Sequence, residues 1–287
     1  MPTTTIETLG DLISFAADLD SRHGSSSWFR GHRDANWSLQ CTLWRRTENE
    51  MGRLRDRPYT HADERNFTHR FRVRAAIRRT NAPEYEDCAG WLSLMQHYGL
   101  PTRLLDWSRS PMIAAYFAVA TGSADAVSDA AIWVLDPHRL NWVTAREMTT
   151  PALKSQVVAH LVNDAFFDAR EVRHRGGVDH APQARSAPVM AAMAWEADQR
   201  MVVQQGAFTV HAAPPEFERD GLPGMEESDD ASDYLQLLRI PGPIVRRFKE
   251  QVAAAGLREG DLFPDLEHLA RELIQTYPPQ TIRAEKH

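Results

Sequence analysis

The stretch Trp91–Ala118, WLSLMQHYGLPTRLLDWSRSPMIAAYFA, brings together His97, Tyr98, Thr102, Arg103, Asp106, Trp107, Ser108, Ser110, Tyr116 and Phe117. A hydrophobic core needs leucine and valine at a regular period. It does not need imidazole, guanidinium, carboxylate, hydroxyl and phenol groups around one Gly–Leu–Pro turn. That mixture suits a site for a polar ligand. Two other segments carry ligand-type groups. In Trp28-Phe29-Arg30-Gly31-His32 an arginine ends a short strand, where its planar fork can clamp a phosphate or ribose. The glycine beside it lets a planar ring approach the backbone. A plain surface arginine is the alternative. In Gln204-Gln205-Gly206-Ala207-Phe208-Thr209 two carboxamides end a strand; the alternative is a hairpin with both glutamines outside.

The elements that must position these groups follow from periodicity and punctuation. Apolar residues at Ile6, Leu9, Leu12, Ile13, Ala16 and Leu19 predict a helix over residues 6–22, with Gly24 as its stop. Thr60–Asp63 resembles a capping box, and the helix behind it runs to about Arg79 with Phe67, Phe71 and Ile77 inward. Arg65, Arg70, Arg72, Arg74, Arg78 and Arg79 make the rest of that helix basic, either as a solvated face or as a phosphate or nucleic-acid surface. Glu86–Tyr98 is a helix closed by Gly99 and Pro101, and Thr102–Trp107 a short buried strand. Ser110–Pro111 starts the next helix, which continues to Gly122. Ala131–Leu135 is a strand ended by Asp136–Pro137, and Gln156–Phe167 a helix. Met201–Gln204, Ala207–His211 and Tyr234–Ile240 read as strands. Ile244–Ala255 and Pro264–Tyr277 read as helices. Residues 170–188 and 214–232 are irregular loops and residues 278–287 a tail. The expected fold is α+β, a single domain over residues 1–287 with a mostly antiparallel sheet flanked by helices.

The 287 residues suffice for a large core, and 43% hydrophobic with 25% charged residues is ordinary for a globular protein. The cysteines Cys41 and Cys88 do not suggest a disulfide scaffold, and a cytoplasmic location is expected. Apolar runs fall short of the roughly 18 residues that span a membrane. A net charge of −6 argues against wholesale nucleic-acid binding. Lysine stands only at positions 154, 249 and 286, so 30 of the 33 basic residues are arginine.

Familiar chemistries find little support. His174 and His180 lack a cysteine or acidic partner at ligand spacing, so no metal is expected. The chain has no glycine-rich phosphate loop and no Gly-x-Ser-x-Gly elbow. Cys88, on a helix beside Trp91, reads as a core residue.

Taken together, WFRGH with Trp37 following, the Trp91–Ala118 stretch, QQGAFT and DLFPDLEHLAREL resemble the FRG domain, a bacterial and phage-associated family named for its Phe-Arg-Gly motif. The resemblance extends over about residues 8–275. The ordered motifs are also similar to those of ADP-ribosyltransferases, whose first strand carries Arg–Gly or His–Gly, whose second motif is Ser/Thr-based and leads into an alanine–aromatic helix, and whose third motif carries Glu or Gln. That similarity implies a sheet with a central split. It implies NAD as substrate, with Arg30 on a phosphate or ribose and Gly31 offering backbone bonds to the nicotinamide amide. Thr102, Ser108 or Ser110 would form the second motif, Tyr116 or Phe117 the aromatic of the following helix, and Gln204 the third position. Tyr98 and Arg103 would contribute to the same cofactor pocket.

Cleaving the nicotinamide–ribose bond passes through an oxocarbenium-like state, which a rigid clamp and oriented hydroxyls stabilise. Gln204 departs from a glutamate at the third motif, because an amide takes no proton at neutral pH. Glu196, His97 and Asp106 are the other candidates for acid–base work. The resemblance implies a toxin or phage-defence effector that modifies a macromolecule, protein or nucleic acid, with a cognate antitoxin or inhibitor as a further partner and no membrane. A non-catalytic NAD or nucleotide sensor and a nucleic-acid-binding effector are the competing expectations.

Overall fold

Ala130–Leu135 (β4) is apolar at every position and buried at every position. A strand covered on both faces belongs inside a sheet, and β4 lies between β2 (Trp28–His32) and β7 (Leu235–Ile240), antiparallel to both. The computed structural model describes residues 1–23, 27–45, 59–75, 77–120, 128–166, 189–195, 199–212 and 222–277. Gly24, Gly122, His174, His180, Glu196, the whole 170–188 segment, residues 214–221 and the 278–287 tail lie outside the described residues.

The described strands form one open sheet of seven. From edge to edge the order is β1 (Thr3–Thr5), β7, β4, β2, β3 (Leu104–Ser108), β6 (Gly206–His211) and β5 (Val189–Met193). Only β1, which lies along β7, is parallel to its neighbour. One face carries α1 (Leu9–His23), α4 (Pro111–Val119) and α9 (Gly242–Ala254) over the β2–β4–β7 half. On the same face, α3 (Cys88–His97) and α6 (Gln156–Phe166) cover β3, β6 and β5, and α2 (His61–Ala75) packs against both helices. The opposite face is covered by the chain around Ala35–Trp44, by α5 (Pro137–Ala145), and by the segment Leu222–Tyr234. On that face Trp28, Trp107 and Trp133 are all buried. Large indole rings of this kind carry much of a core's apolar burial.

Several local expectations hold. The Thr60 amide donates to Asp63 Oδ2 at 2.9 Å and the Asp63 amide to Thr60 Oγ1 at 3.1 Å, which closes the capping box. Gly99 ends α3 at φ +74, the left-handed conformation that favours glycine. Cys88 is buried.

Others need correction. The first helix begins at Leu9, and the three residues before the loop leading to it form β1. Strand β5 and helix α5 are additions to the sequence reading. Asp136–Pro137, read as a strand end, is also a helix start, because the Asp136 side chain accepts the Arg139 amide at 2.9 Å. Met201–Gln204 is not a strand. It belongs to a short helix, α7 (Gln199–Val203), whose exit is turned by Gln205 at φ +46. The 214–232 segment is not irregular throughout: Met225–Glu227 is a 3-10 turn and Ala231–Tyr234 a short helix, α8. The last helix splits into α10 (Glu259–Leu262) and α11 (Leu266–Thr276). Helix α2 ends at Ala75, so Ile77 lies beyond it and is 84% exposed, while Arg72 points inward and is 3% exposed.

Candidate functional site

β2 and β3 are neighbours in the sheet, yet they pair only at Phe29 and Ser108. Each keeps a full ladder with its other neighbour, β4 and β6 respectively. The sheet therefore opens at its middle. Arg30 follows the last pair directly, and its Nη1 donates to the Asp106 carbonyl at 2.6 Å, which ties the strands where the ladder has stopped. Arg30 is partly buried, and among the described residues no carboxylate reaches it within ion-pair distance. Burial lowers its pKa to about 10, against the pull of the Asp106 charge, and Arg45 pushes the same way as burial. The guanidinium stays charged at neutral pH, and the Asp106 charge attracts it without forming an ion pair.

Strand alternation puts Arg30 and His32 on the same face as Trp28 and Trp133. Arg30 Nε donates to His32 Nε2 at 3.0 Å, so the imidazole proton is assigned to Nδ1, which lies 3.2 Å from the Trp37 carbonyl. Burial, then the Arg30 charge, lowers the His32 pKa to about 3. His211, on the same face of β6, is lowered to about 3 by burial and again by Arg30. Its Nε2 lies 2.9 Å from Thr209 Oγ1, which also accepts the Trp107 indole N–H at 3.1 Å. Both histidines are neutral under physiological conditions, and neither offsets nor shares the charge of Arg30.

Gly31 points to the helical face. A Cβ there would sit 2.0 Å from the Ala114 carbonyl oxygen and 2.5 Å from the Ala118 amide nitrogen. Those are backbone atoms of α4, so glycine at this position lets the helix lie directly on β2. The packing of α4 is thus a sufficient reason for the Arg–Gly pair.

On the helical side of β3 the exposed Asp106 carboxylate accepts Gln96 Nε2 at 2.7 Å, and Gln96 Oε1 in turn accepts the Thr102 hydroxyl. Thr102 Oγ1 also accepts the Leu104 amide at 3.1 Å. This chain fixes one ionisable oxygen at the rim of the split. His97 and Tyr98 end the same helix that carries Gln96, with ring centroids 4.9 Å apart and Tyr98 exposed.

The remaining candidates are placed elsewhere. Arg103 is 1% exposed and forms a two-pronged ion pair with Glu64 of α2, while its Nη1 donates to the Leu161 carbonyl of α6. Its fork is engaged in holding helices to the sheet, which corrects the expectation of a cofactor contact. Ser108 Oγ donates to the Gln204 carbonyl at 2.8 Å and accepts the Ser110 amide at 3.0 Å. Ser110 caps α4 by position, without a side-chain bond to the helix. The Gln204 backbone thus touches the end of β3, but its side-chain amide donates to the Leu262 carbonyl of α10 at 3.0 Å. Tyr116 and Phe117 pack edge to face at 5.6 Å, and Phe117 meets Phe263 at 6.0 Å, so both rings seat the C-terminal helices. Burial and the nearby Glu259 and Glu272 charges raise the Tyr116 pKa to about 12.

The split therefore has Arg30 on its Trp28 face and Asp106, held by the chain of Gln96 and Thr102, on its helical face. It does not gather Arg103 or the amide of Gln204, and Glu196 lies outside the described residues. Residues unremarked in the sequence are Gln96, Arg45, Glu64, Thr209 and His211. Only Gln96 had a visible signal, because it stands one residue before His97 in the stretch richest in polar groups. Among the described residues no helix is long and apolar enough to cross a membrane.

No curated protein and no solved structure matches this chain significantly. The family model of the FRG domain does match, over residues 25–126. That span is shorter than the 8–275 expected, and it contains β2, the polar chain of Gln96, Thr102 and Asp106, and α4. The split thus falls within the stretch that matches the FRG domain.

Proposed function

We propose that the chain binds NAD at the mouth of the β2–β3 split and transfers ADP-ribose from it to a macromolecular acceptor, in an ADP-ribosyltransferase-like fold. The observation that carries this reading is the interrupted ladder. An antiparallel sheet opens at its centre, and a partly buried guanidinium without a carboxylate partner stands in the opening. A diphosphate offers the charge that Arg30 lacks, and Arg30 offers a fixed fork to orient it. In the transfer, the bond between nicotinamide and ribose C1′ breaks and nicotinamide leaves with the bonding electrons. An acceptor nucleophile bonds to C1′ and gives up its proton. Asp106 suits the role of proton acceptor, since it is exposed and held by Gln96. Removing one polar clamp of this kind typically costs about 2–4 kcal/mol of transition-state stabilisation.

A toxin or phage-defence effector in the cytoplasm, with a protein or nucleic-acid acceptor and a cognate inhibitor, is the setting that the family implies for such an activity. Incubation with labelled NAD and cell extract tests the reading. Nicotinamide release and a labelled acceptor, both abolished by Arg30→Ala and strongly reduced by Asp106→Asn, are the expected results. Neither product from the wild type would overturn it.

A second reading, a non-catalytic NAD sensor, is favoured by one observation: the Gln204 amide is occupied by the Leu262 carbonyl. Saturable NAD binding in calorimetry without nicotinamide release would select it.

A further inference from the structure

Helix α2 buries a polar stripe. Glu64, Thr68 and Arg72 recur every four residues on one side of it, and their exposures are 1%, 0% and 3%. Glu64 is matched by Arg103. The other two are not matched. Among the described residues, Thr68 Oγ1, Arg72 Nε and Arg72 Nη1 are buried and lack a hydrogen-bond partner. The Arg72 guanidinium donates from Nη2 to the Tyr85 carbonyl. Side chains on a helix lean toward its N-terminus, so Arg72 leans over Thr68.

Rings enclose this guanidinium. Its central carbon lies 3.7 Å from the Tyr85 ring centroid, 5.6 Å from Phe166 and 6.0 Å from Trp91. Cation–π contact offsets part of the cost of burying the charge but satisfies no N–H. Phe166 and Trp91 belong to the core, whereas Tyr85 is 54% exposed, on the connection between α2 and α3. An exposed ring on the connection between two helices thus closes the guanidinium off from solvent. Exposed Glu84 and Glu86 flank the tyrosine, and Arg70 and Arg74, two residues to either side of Arg72, lie on the opposite, exposed side of α2.

We propose that Thr68 and Arg72 form a second ligand site, for a phosphate group that enters beneath Tyr85. One hydroxyl and two guanidinium nitrogens, all unspent, suit the oxygens of a single tetrahedral oxyanion. Three donor atoms suit the three terminal oxygens of a phosphate better than the two of a carboxylate. The site is separate from Arg30 and does not depend on the transferase reading. The phosphate is either free or the terminal group of a nucleotide, whose base the exposed Tyr85 ring would stack.

Calorimetric titrations of the whole chain with inorganic phosphate, AMP and acetate test the proposal, with Arg30→Met as background so that binding at the split does not contribute. Saturable phosphate binding is expected, weakened about tenfold or more by Thr68→Val, which keeps shape and removes the donor, and abolished by Arg72→Met. Should Arg72→Met fail to fold, Thr68→Val still decides. AMP binding more tightly than phosphate, with the advantage lost in Tyr85→Ala, identifies a nucleotide. Equal binding, with Tyr85→Ala tightening both, identifies free phosphate and a lid. Absence of phosphate and AMP binding, binding indifferent to Thr68→Val, or acetate binding as tightly as phosphate would overturn the proposal.

Discussion

Arg103 and Arg30 are two arginines drawn into the same protein and satisfied in opposite ways. Arg103 meets a carboxylate with both prongs and a helix carbonyl besides. Arg30 meets a carbonyl and a neutral imidazole. A buried charge with a complete set of partners belongs to the architecture; one with neutral partners only is free to recognise an anion. Arg72 is a third case, deeper than Arg30 and, among the described residues, with two guanidinium nitrogens still unpartnered. The same side chain thus serves as a strut at one position and as a receptor at another. The difference lies in whether the fold delivers a carboxylate.

Breaking the strut has the largest predicted effect on stability. Glu64→Gln leaves Arg103 charged and buried, and urea denaturation should show a loss of about 3–5 kcal/mol. Replacing both residues, Glu64→Leu with Arg103→Met, should restore most of it. A single variant within about 0.5 kcal/mol of wild type would erase the contrast between the two arginines.

Next in size is acid sensitivity on the Arg30 face. His32 and His211 titrate near 6.5 when unfolded and near 3 when folded. The unfolded chain therefore takes up protons first as pH falls. Stability that is intact above pH 6.5 is lost progressively toward pH 3, by about 1.4 kcal/mol per pH unit for each imidazole. At pH 5 one histidine accounts for about 2 kcal/mol, and His211→Gln should flatten the denaturation profile between pH 6.5 and 5 by roughly that much. An unchanged profile would mean that His211 protonates in the folded protein.

The smallest predicted effect concerns the two Pro-started helices. Asp136→Ala should lose about 1 kcal/mol, because its carboxylate receives the Arg139 amide. Ser110→Ala should lose less than about 0.5 kcal/mol, because Ser110 makes no side-chain bond to its helix. Equal losses in thermal melts would show that the residue type, and not the bond, sets the cap strength.

Legibility from sequence followed the range of the interactions. β2, β3, α4 and the capping box are written in adjacent residues, and each was readable. The central split was expected only through the family resemblance, and its register depends on contacts between distant strands. β1 was not readable, since three exposed threonines become a strand only because β7 runs alongside. Of the candidate site, Arg30 and Asp106 were visible as residue types. That they meet through a carbonyl, and that Arg103 is taken by a glutamate 39 residues earlier in the chain, depends on how the sheet and α2 come together. The amide of Gln204 was misassigned for a similar reason: α7 is too short to show a helical period, and its exit turns that side chain toward α10.

Arg30 is the residue on which anion binding at the split depends. Titrating NAD into wild type and Arg30→Met in a calorimeter, with the folded state of each checked by urea denaturation, tests that dependence most directly. Saturable binding to wild type and none to Arg30→Met is the expected result, with a loss of stability from the two missing hydrogen bonds well below that of Glu64→Gln. NAD binding unchanged by Arg30→Met, or a loss of stability as large as that of Glu64→Gln, would contradict it.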